Sequence, residues 1–308
     1  MVKLKEKKLL ILGLDNAGKT SFIKALDRKK ITEMKPTLGI DLTYKDILGY
    51  KIARWDMGGQ INYRQSYFKD EANVFTDAAL VFFIIDMLDI ERMEEALKYY
   101  EEILEVYKLI GENPAFVICL HKSDPDIFHD EVTLTTLKEK QEELEKDFIG
   151  ISEGFNIKIA KTSIFDRETL IRAFSIGIKA FLTSYDLLDL NLSEFVNETG
   201  LEKAIIYEKN SLILGESTSN KNVTNPLNPA MMEFIVILDE LNKKVPAMKL
   251  EISIDDKFSF VIYARTFENF NFYLGLLGDK EINFSLMIEV FEKKYSGKIS
   301  EILKDMIA

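Results

Sequence analysis

Residues 9–20 read Leu-Leu-Ile-Leu-Gly-Leu-Asp-Asn-Ala-Gly-Lys-Thr, an apolar run that ends in the pattern G-x-x-x-x-G-K-[ST] over residues 13–20. The run reads as a buried strand and an amphipathic helix begins near Ser21, so the glycine loop joins a strand to a helix. In that setting Gly13 and Gly18 let the backbone curl until successive N–H groups face a diphosphate, and the positive end of the helix attracts the same charge. Asp15, Asn16, Ala17 and Ser21 complete the cradle. Lys19 is placed to reach the outer phosphates, and Thr20 offers its hydroxyl to Mg2+. The stretch predicts a nucleoside triphosphate site.

Up to about residue 185, apolar strand-like runs alternate with amphipathic helical stretches. Strands are expected at residues 9–12, 42–48, 51–55, 80–85, 116–120 and 157–160, most of them too apolar to be half exposed, with helices at 91–110 and 134–148. The expected fold is α/β: a mostly parallel sheet with helices on both faces, forming a domain over residues 1–187. Near 186–191 the alternation lapses. A helix at 192–199, a hairpin at 204–214, a polar loop at 217–229 and a helix at 230–243 are expected next. Strands at 249–254, 258–264 and 270–277 and a closing helix at 283–307 complete a smaller α+β domain over 192–308. The sequence of this second part shows neither metal-ligand spacing nor a nucleophile with a base.

With 51 acidic and 40 basic residues among 308, the net charge of −11 argues against nucleic acid as a partner and against an anionic lipid surface. The Lys-rich start, Lys3 to Lys8, reads as a solvated lead-in to the first strand. Cys119 is the one cysteine, so no disulfide within the chain is possible, which suits a reducing, cytoplasmic setting. No apolar stretch approaches bilayer length, and neither Val2 nor the terminal Asp-Met-Ile-Ala offers a lipidation acceptor. Direct membrane insertion is not expected, and any recruitment to a membrane surface would come through a partner.

Four further segments follow in order, each at a strand end. Thr37, in Lys35-Pro36-Thr37-Leu38-Gly39, can offer a hydroxyl to Mg2+ and its backbone to a γ-phosphate, or can be an ordinary surface threonine in a Pro/Gly turn. In Asp56-Met57-Gly58-Gly59-Gln60, Asp56 is placed to hold the metal through water, the Gly59 N–H to meet the γ-phosphate, and Gln60 to orient an attacking water. In His121-Lys122-Ser123-Asp124, the Asp124 carboxylate can accept from N1–H and the exocyclic amine of guanine, whereas adenine would leave it unpaired. The Lys122 stem would lie along the base. His121 either donates to the base or braces the phosphate loop. Ser163 and Ile164, in Lys161-Thr162-Ser163-Ile164, can bring a backbone N–H to the guanine oxygen.

These motifs, across residues 9 to about 180, resemble those of the Ras-superfamily small GTPases. The phosphate loop and Trp55-Asp56-x-Gly-Gly-Gln60 are similar to the Arf group, but the chain lacks that group's acylated amphipathic N-terminal helix. His121-Lys122-x-Asp124, Thr162-Ser163-Ile164-Phe165-Asp166 and the trailing α+β part resemble the Rag/Gtr GTPases, which pair through a C-terminal roadblock (longin-like) domain. The second resemblance covers the whole chain. It implies a GTP-binding switch with GTP/GDP and Mg2+ as cofactors, in which GTP orders Thr37 and residues 58–69 and hydrolysis releases them.

The resemblance also implies a homodimer, or a heterodimer with another Rag-like GTPase, through residues 192–308. Roadblock-domain proteins, GTPase-activating proteins and exchange factors are its further implied partners. Tyr63, Tyr67 and Phe68 would then form an effector surface or tuck beneath the loop as core. The stretch before Thr37 offers Met34 and Lys35 and no arginine, so slow hydrolysis assisted by an activating protein is expected. The rival readings are an Arf-like trafficking GTPase, a nucleotide-loaded scaffold without turnover, and a metabolic phosphotransferase.

Overall fold

The computed structural model describes residues 5–31, 35–124, 131–180, 182, 184–218, 227–242, 249–253, 257–267 and 270–307. The chain divides into two units, Met1–Phe181 and Leu182–Ala308.

In the first unit the elements run β1 (Lys5–Leu12), α1 (Lys19–Leu26), β2 (Ile40–Ile47), β3 (Tyr50–Met57), α2 (Ile61–Lys69) and a single turn, α3 (Glu71–Val74). They continue with β4 (Ala78–Asp86), α4 (Met93–Ile110), β5 (Ala115–His121), α5 (Glu131–Ile151), β6 (Ile157–Thr162) and α6 (Arg167–Lys179). The strands form one sheet in the order β2-β3-β1-β4-β5-β6. Only β2 runs antiparallel to its neighbour, Ile40 facing Met57 and Ile47 facing Tyr50. Because β1, β3, β4, β5 and β6 are parallel, their C-terminal ends share one edge, where an α/β sheet can present loops to a ligand.

Burial explains why these runs are strands. Every residue of β4 except Ala79 is buried, and adjacent side chains point to opposite faces. Phe82 stacks on Phe174 of α6 at 5.6 Å and meets Phe22 of α1 at 5.7 Å. On the other face Phe83 meets Tyr100 of α4 at 5.1 Å, and Tyr100 meets Phe148 of α5 at 5.0 Å. The β2–β3 hairpin is fastened differently. Arg54, 2% exposed, makes a two-pronged pair with Asp27 at the end of α1 (2.9 and 2.7 Å), and Lys45 of β2 reaches the same carboxylate at 2.9 Å. Burial alone would raise the Asp27 carboxyl, but the Arg54 and Lys45 contacts hold it well below the usual carboxylate range.

The second unit runs α7 (Tyr185–Thr199), β7 (Lys203–Glu208), β8 (Ile213–Glu216), α8 (Leu227–Asn242), β9 (Lys249–Ser253), β10 (Phe258–Phe267), β11 (Phe270–Asp279), α9 (Phe284–Lys294) and α10 (Ser296–Ile307). Its sheet, β8-β7-β11-β10-β9, is antiparallel throughout. Three sequence expectations need correction here. The helix expected at 192–199 starts at Tyr185, because Leu188, Leu192, Phe195 and Val196 make one buried stripe at helical spacing. The polar loop expected at 217–229 lies largely outside the described residues, and its last three residues belong to α8, whose first turn tolerates Pro229. The closing helix is two helices. They part at Tyr295, before the Ser296-Gly297 pair, where the Ser296 hydroxyl donates to the Glu292 carbonyl.

Candidate functional site

The phosphate loop leaves β1 with Asn16 and Gly18 in the left-handed region, at φ 61° and 97°. Gly18 is required here for two reasons. Its backbone conformation disfavours a side chain, and an added Cβ would stand 2.5 Å from Cδ2 of His121. Ala17 is buried, and its N–H closes the turn onto the Leu14 carbonyl at 3.4 Å. Lys19, 6% exposed, donates to the carbonyls of Gly13 (3.0 Å) and Leu14 (2.6 Å). Burial pushes its ammonium down to about 8, against the pull of Asp56 and Asp15. Among the described residues its hydrogen-bond partners are carbonyls, an arrangement that leaves a buried cation able to accept an anion.

Beside it three oxygens converge. The Thr20 hydroxyl donates to Oδ2 of Asp56 at 2.5 Å and lies 2.9 Å from Oγ1 of Thr37, which reaches the same carboxylate oxygen at 3.4 Å. Oδ1 of Asp56 is buried with no hydrogen-bond partner among the described residues, and burial raises its carboxyl above the ordinary range. Hard oxygen donors around an orphaned carboxylate oxygen fit a divalent ion such as Mg2+. A cleft of about 320 Å3 adjoins them, walled by Asp15, Asn16, Ser21, Lys35, Gly59 and Gln60 among others.

Gly59 also has a steric reason: a Cβ there would lie 2.2 Å from the Leu14 carbonyl carbon, so its backbone rests against the phosphate loop. The Gly58 N–H donates to the Gly39 carbonyl at 2.8 Å, joining this segment to the loop that carries Thr37. Gln60 precedes α2, its carbonyl accepting from Tyr63 and Arg64 N–H. Of the two readings for the aromatics, the structure shows the core one. Tyr67 is buried and its hydroxyl donates to the Gly39 and Gly58 carbonyls, while Phe68 and Tyr63 pack on the same core. The exposed apolar residues of these segments are instead Leu38, after Thr37, then Ile40, Leu42 and Tyr44 of β2, and Ile61 at the start of α2.

At the other end β5 delivers His121, Lys122 and Asp124. Nδ1 of His121 lies 2.9 Å from the Thr162 hydroxyl, and its ring sits under Gly18, so the structure favours the loop-bracing role. Burial, with Lys122 nearby, lowers its pKa to about 4, which keeps the ring neutral. Lys122 adopts a left-handed φ of 61° and its ammonium pairs with Asp86 at 2.6 Å. The Ser163 hydroxyl donates to the buried Asp124 carboxylate and accepts from the Phe165 N–H at 3.0 Å, with Ile164 half-buried between them. Sequence reasoning missed Asp86 and Arg92. Arg92, just before α4, pairs with Asp15 at 3.0 Å across 77 residues, and no local pattern announces such a contact.

A mostly parallel sheet with a glycine loop after its first strand, metal-type oxygens beside it and a carboxylate after its fifth strand defines a P-loop GTPase fold. The antiparallel five-stranded sheet and helices of the second unit are consistent with a roadblock/longin-like α+β domain. A family model described as "Gtr1/RagA G protein conserved region" matches residues 8–239, three quarters of the chain, and the chain belongs to that family. It is also 37% identical over 127 residues to an ADP-ribosylation factor-like protein 2 of Dictyostelium discoideum, covering 40% of this chain and 64% of that one. To the ADP-ribosylation factor-like protein alp41 of Schizosaccharomyces pombe it is 34% identical over 124 residues, covering 40% and 63%. The chain thus spans less than two thirds of the length of these curated relatives. Among solved structures, the Arl6 BBS3 small GTPase of Trypanosoma brucei with bound GppNp aligns at TM-score 0.45 and 19% identity, over 57% of this chain and 96% of that one.

Proposed function

We propose that this chain is a GTP-binding switch that hydrolyses GTP to GDP, with residues 1–187 as its G domain and residues 192–308 as its pairing module. The observation that carries this is the pairing of two ends of one site. Lys19 and the Thr20, Thr37 and Asp56 oxygens suit a magnesium-bound polyphosphate, and the Ser163-braced Asp124 carboxylate suits guanine.

Thr20, Thr37 and Asp56 would hold the ion, which when bound neutralises charge on the phosphates. Lys19 and the loop N–H groups orient the polyphosphate, and Gln60, on the cleft wall, positions the water. Residues 58–69 and the loop of Thr37 read the nucleotide together, because Gly58 and Tyr67 already tie them. Turnover is slow without an activating protein. For pairing, β9 ends the second sheet as an edge strand, and Ile237 and Leu241 of α8 are exposed, which supports a homodimer or a Rag-like heterodimer. Among the described residues no helix is long and apolar enough to cross a membrane. A cytoplasmic protein recruited to membranes through partners is the matching location.

The test is direct. Purified full chain is titrated with GTP, GDP and ATP in Mg2+, turnover is followed by phosphate release, and mass in solution is measured alone and with roadblock proteins. Guanine binding with slow phosphate release supports the reading, and equal binding of ATP and GTP overturns it.

A further inference from the structure

Arg92 and Asp15 lie 77 residues apart in sequence, yet the guanidinium grips that single residue of the phosphate loop. Nη1 is 3.0 Å from Oδ1 of Asp15 and Nη2 is 3.4 Å from its backbone carbonyl oxygen. Nε donates to Oδ2 of Asp89 at 2.7 Å and Nη2 lies 2.5 Å from the same oxygen, so Asp89 fixes the arginine from its own side while Nη1 reaches Asp15. Asp15 stands on the wall of the cleft that also holds Lys19 and Gln60, and its charge acts on Lys19. A bare carboxylate there would repel an incoming phosphate. The repulsion grows with the phosphate's own charge, so it opposes a triphosphate more than a diphosphate.

Resting on the guanine-nucleotide reading above, we propose that Arg92 is a positioning residue that raises the GTP:GDP affinity ratio, by masking the Asp15 carboxylate and holding the loop carbonyl behind it. A merely structural brace would behave differently. It would weaken both nucleotides alike, because the loop cradles the diphosphate in both. Charge masking instead makes the effect depend on the number of phosphate charges, and makes it reversible by removing the masked charge.

The experiment uses the full chain and calorimetric titration with GDP and with a non-hydrolysable GTP analogue, for the unmodified protein, Arg92→Gln, Asp15→Asn and the double variant. Arg92→Gln is expected to lower the GTP:GDP affinity ratio about 3- to 5-fold, the upper end for an ion pair whose side chains are 34% and 45% exposed. Asp15→Asn leaves the guanidinium unmasked and should raise the ratio. The double variant should return to within about twofold of the unmodified ratio, since charge and mask are lost together. Equal weakening of both nucleotides by Arg92→Gln, or no recovery in the double variant, overturns the proposal. If Arg92→Gln does not fold, Asp15→Asn decides alone, and a ratio that stays level or falls refutes the masking. An unmodified chain that binds neither nucleotide refutes the guanine reading itself, a result separable from these.

Discussion

Replacing Asp27 by asparagine keeps the shape of the side chain and removes the charge on which Arg54 depends. Arg54 is 2% exposed, its Nε already lacks a hydrogen-bond partner among the described residues, and its other two nitrogens both bind Asp27. A guanidinium left buried without its carboxylate costs about 3–5 kcal/mol. For a unit of the size of Met1–Phe181 each kcal/mol moves the midpoint by about 2–4 °C, so Asp27→Asn should lower it by roughly 6–20 °C.

The measurement is thermal unfolding of the full chain at pH 7 by circular dichroism, following the transition assigned to the first unit. Asp27→Leu with Arg54→Met should recover most of the loss, because a packed apolar pair can match a buried ion pair. A drop below about 1 kcal/mol for Asp27→Asn would show that water reaches the pair and that the hairpin is held by packing alone. The pH dependence has a definite sign. A carboxyl whose folded pKa lies below its unfolded value of about 3.9 stabilises above that pH, and its contribution disappears as pH falls further.

Asp124→Asn should weaken GTP by about 1–3 kcal/mol and relax selection against other bases, measured by competition among nucleotides. Gln60→Leu should leave GTP binding intact and lower turnover, and unchanged phosphate release would mean that another group positions the water. Lys19, with its free-state pKa near 8, should take up about half a proton when polyphosphate binds at pH 8 and almost none at pH 6.5, as read by calorimetry in buffers of different ionisation enthalpy. His121, neutral when folded, loses stability to acid in a higher window than Asp27. As pH falls from about 6.5 toward 4 the unfolded chain binds the proton first, and His121→Gln should flatten that part of the unfolding profile.

The phosphate loop, the strands and the strand-end motifs were legible because each is local: a loop of eight residues, a run of apolar ones, an Asp after a buried strand. What escaped reading depends on distant partners. The Asp15–Arg92 and Asp27–Arg54 ties join residues on different elements, and nothing around either arginine distinguishes it from a surface cation. Tyr67 could be read as exposed or buried until its hydroxyl was seen to close on the Gly39 and Gly58 carbonyls. The break at Tyr295 escaped because the apolar spacing of the closing segment continues across it, through Phe291, Tyr295, Ile299 and Ile302.

The imidazole lodged beneath Gly18 belongs to the same strand end that carries Asp124, the residue proposed to read the base. The proposed base reader and phosphate cradle are therefore joined by one four-residue segment, His121 to Asp124, rather than being independent modules. A bulkier residue at 121 would tilt the cradle, and a smaller one would let it sag, even if every group touching the nucleotide were retained. Anyone seeking to retune this chain to another base by exchanging Asp124 alone inherits that linkage. The spacing between base and phosphates would have to be re-engineered at positions 18 and 121 together.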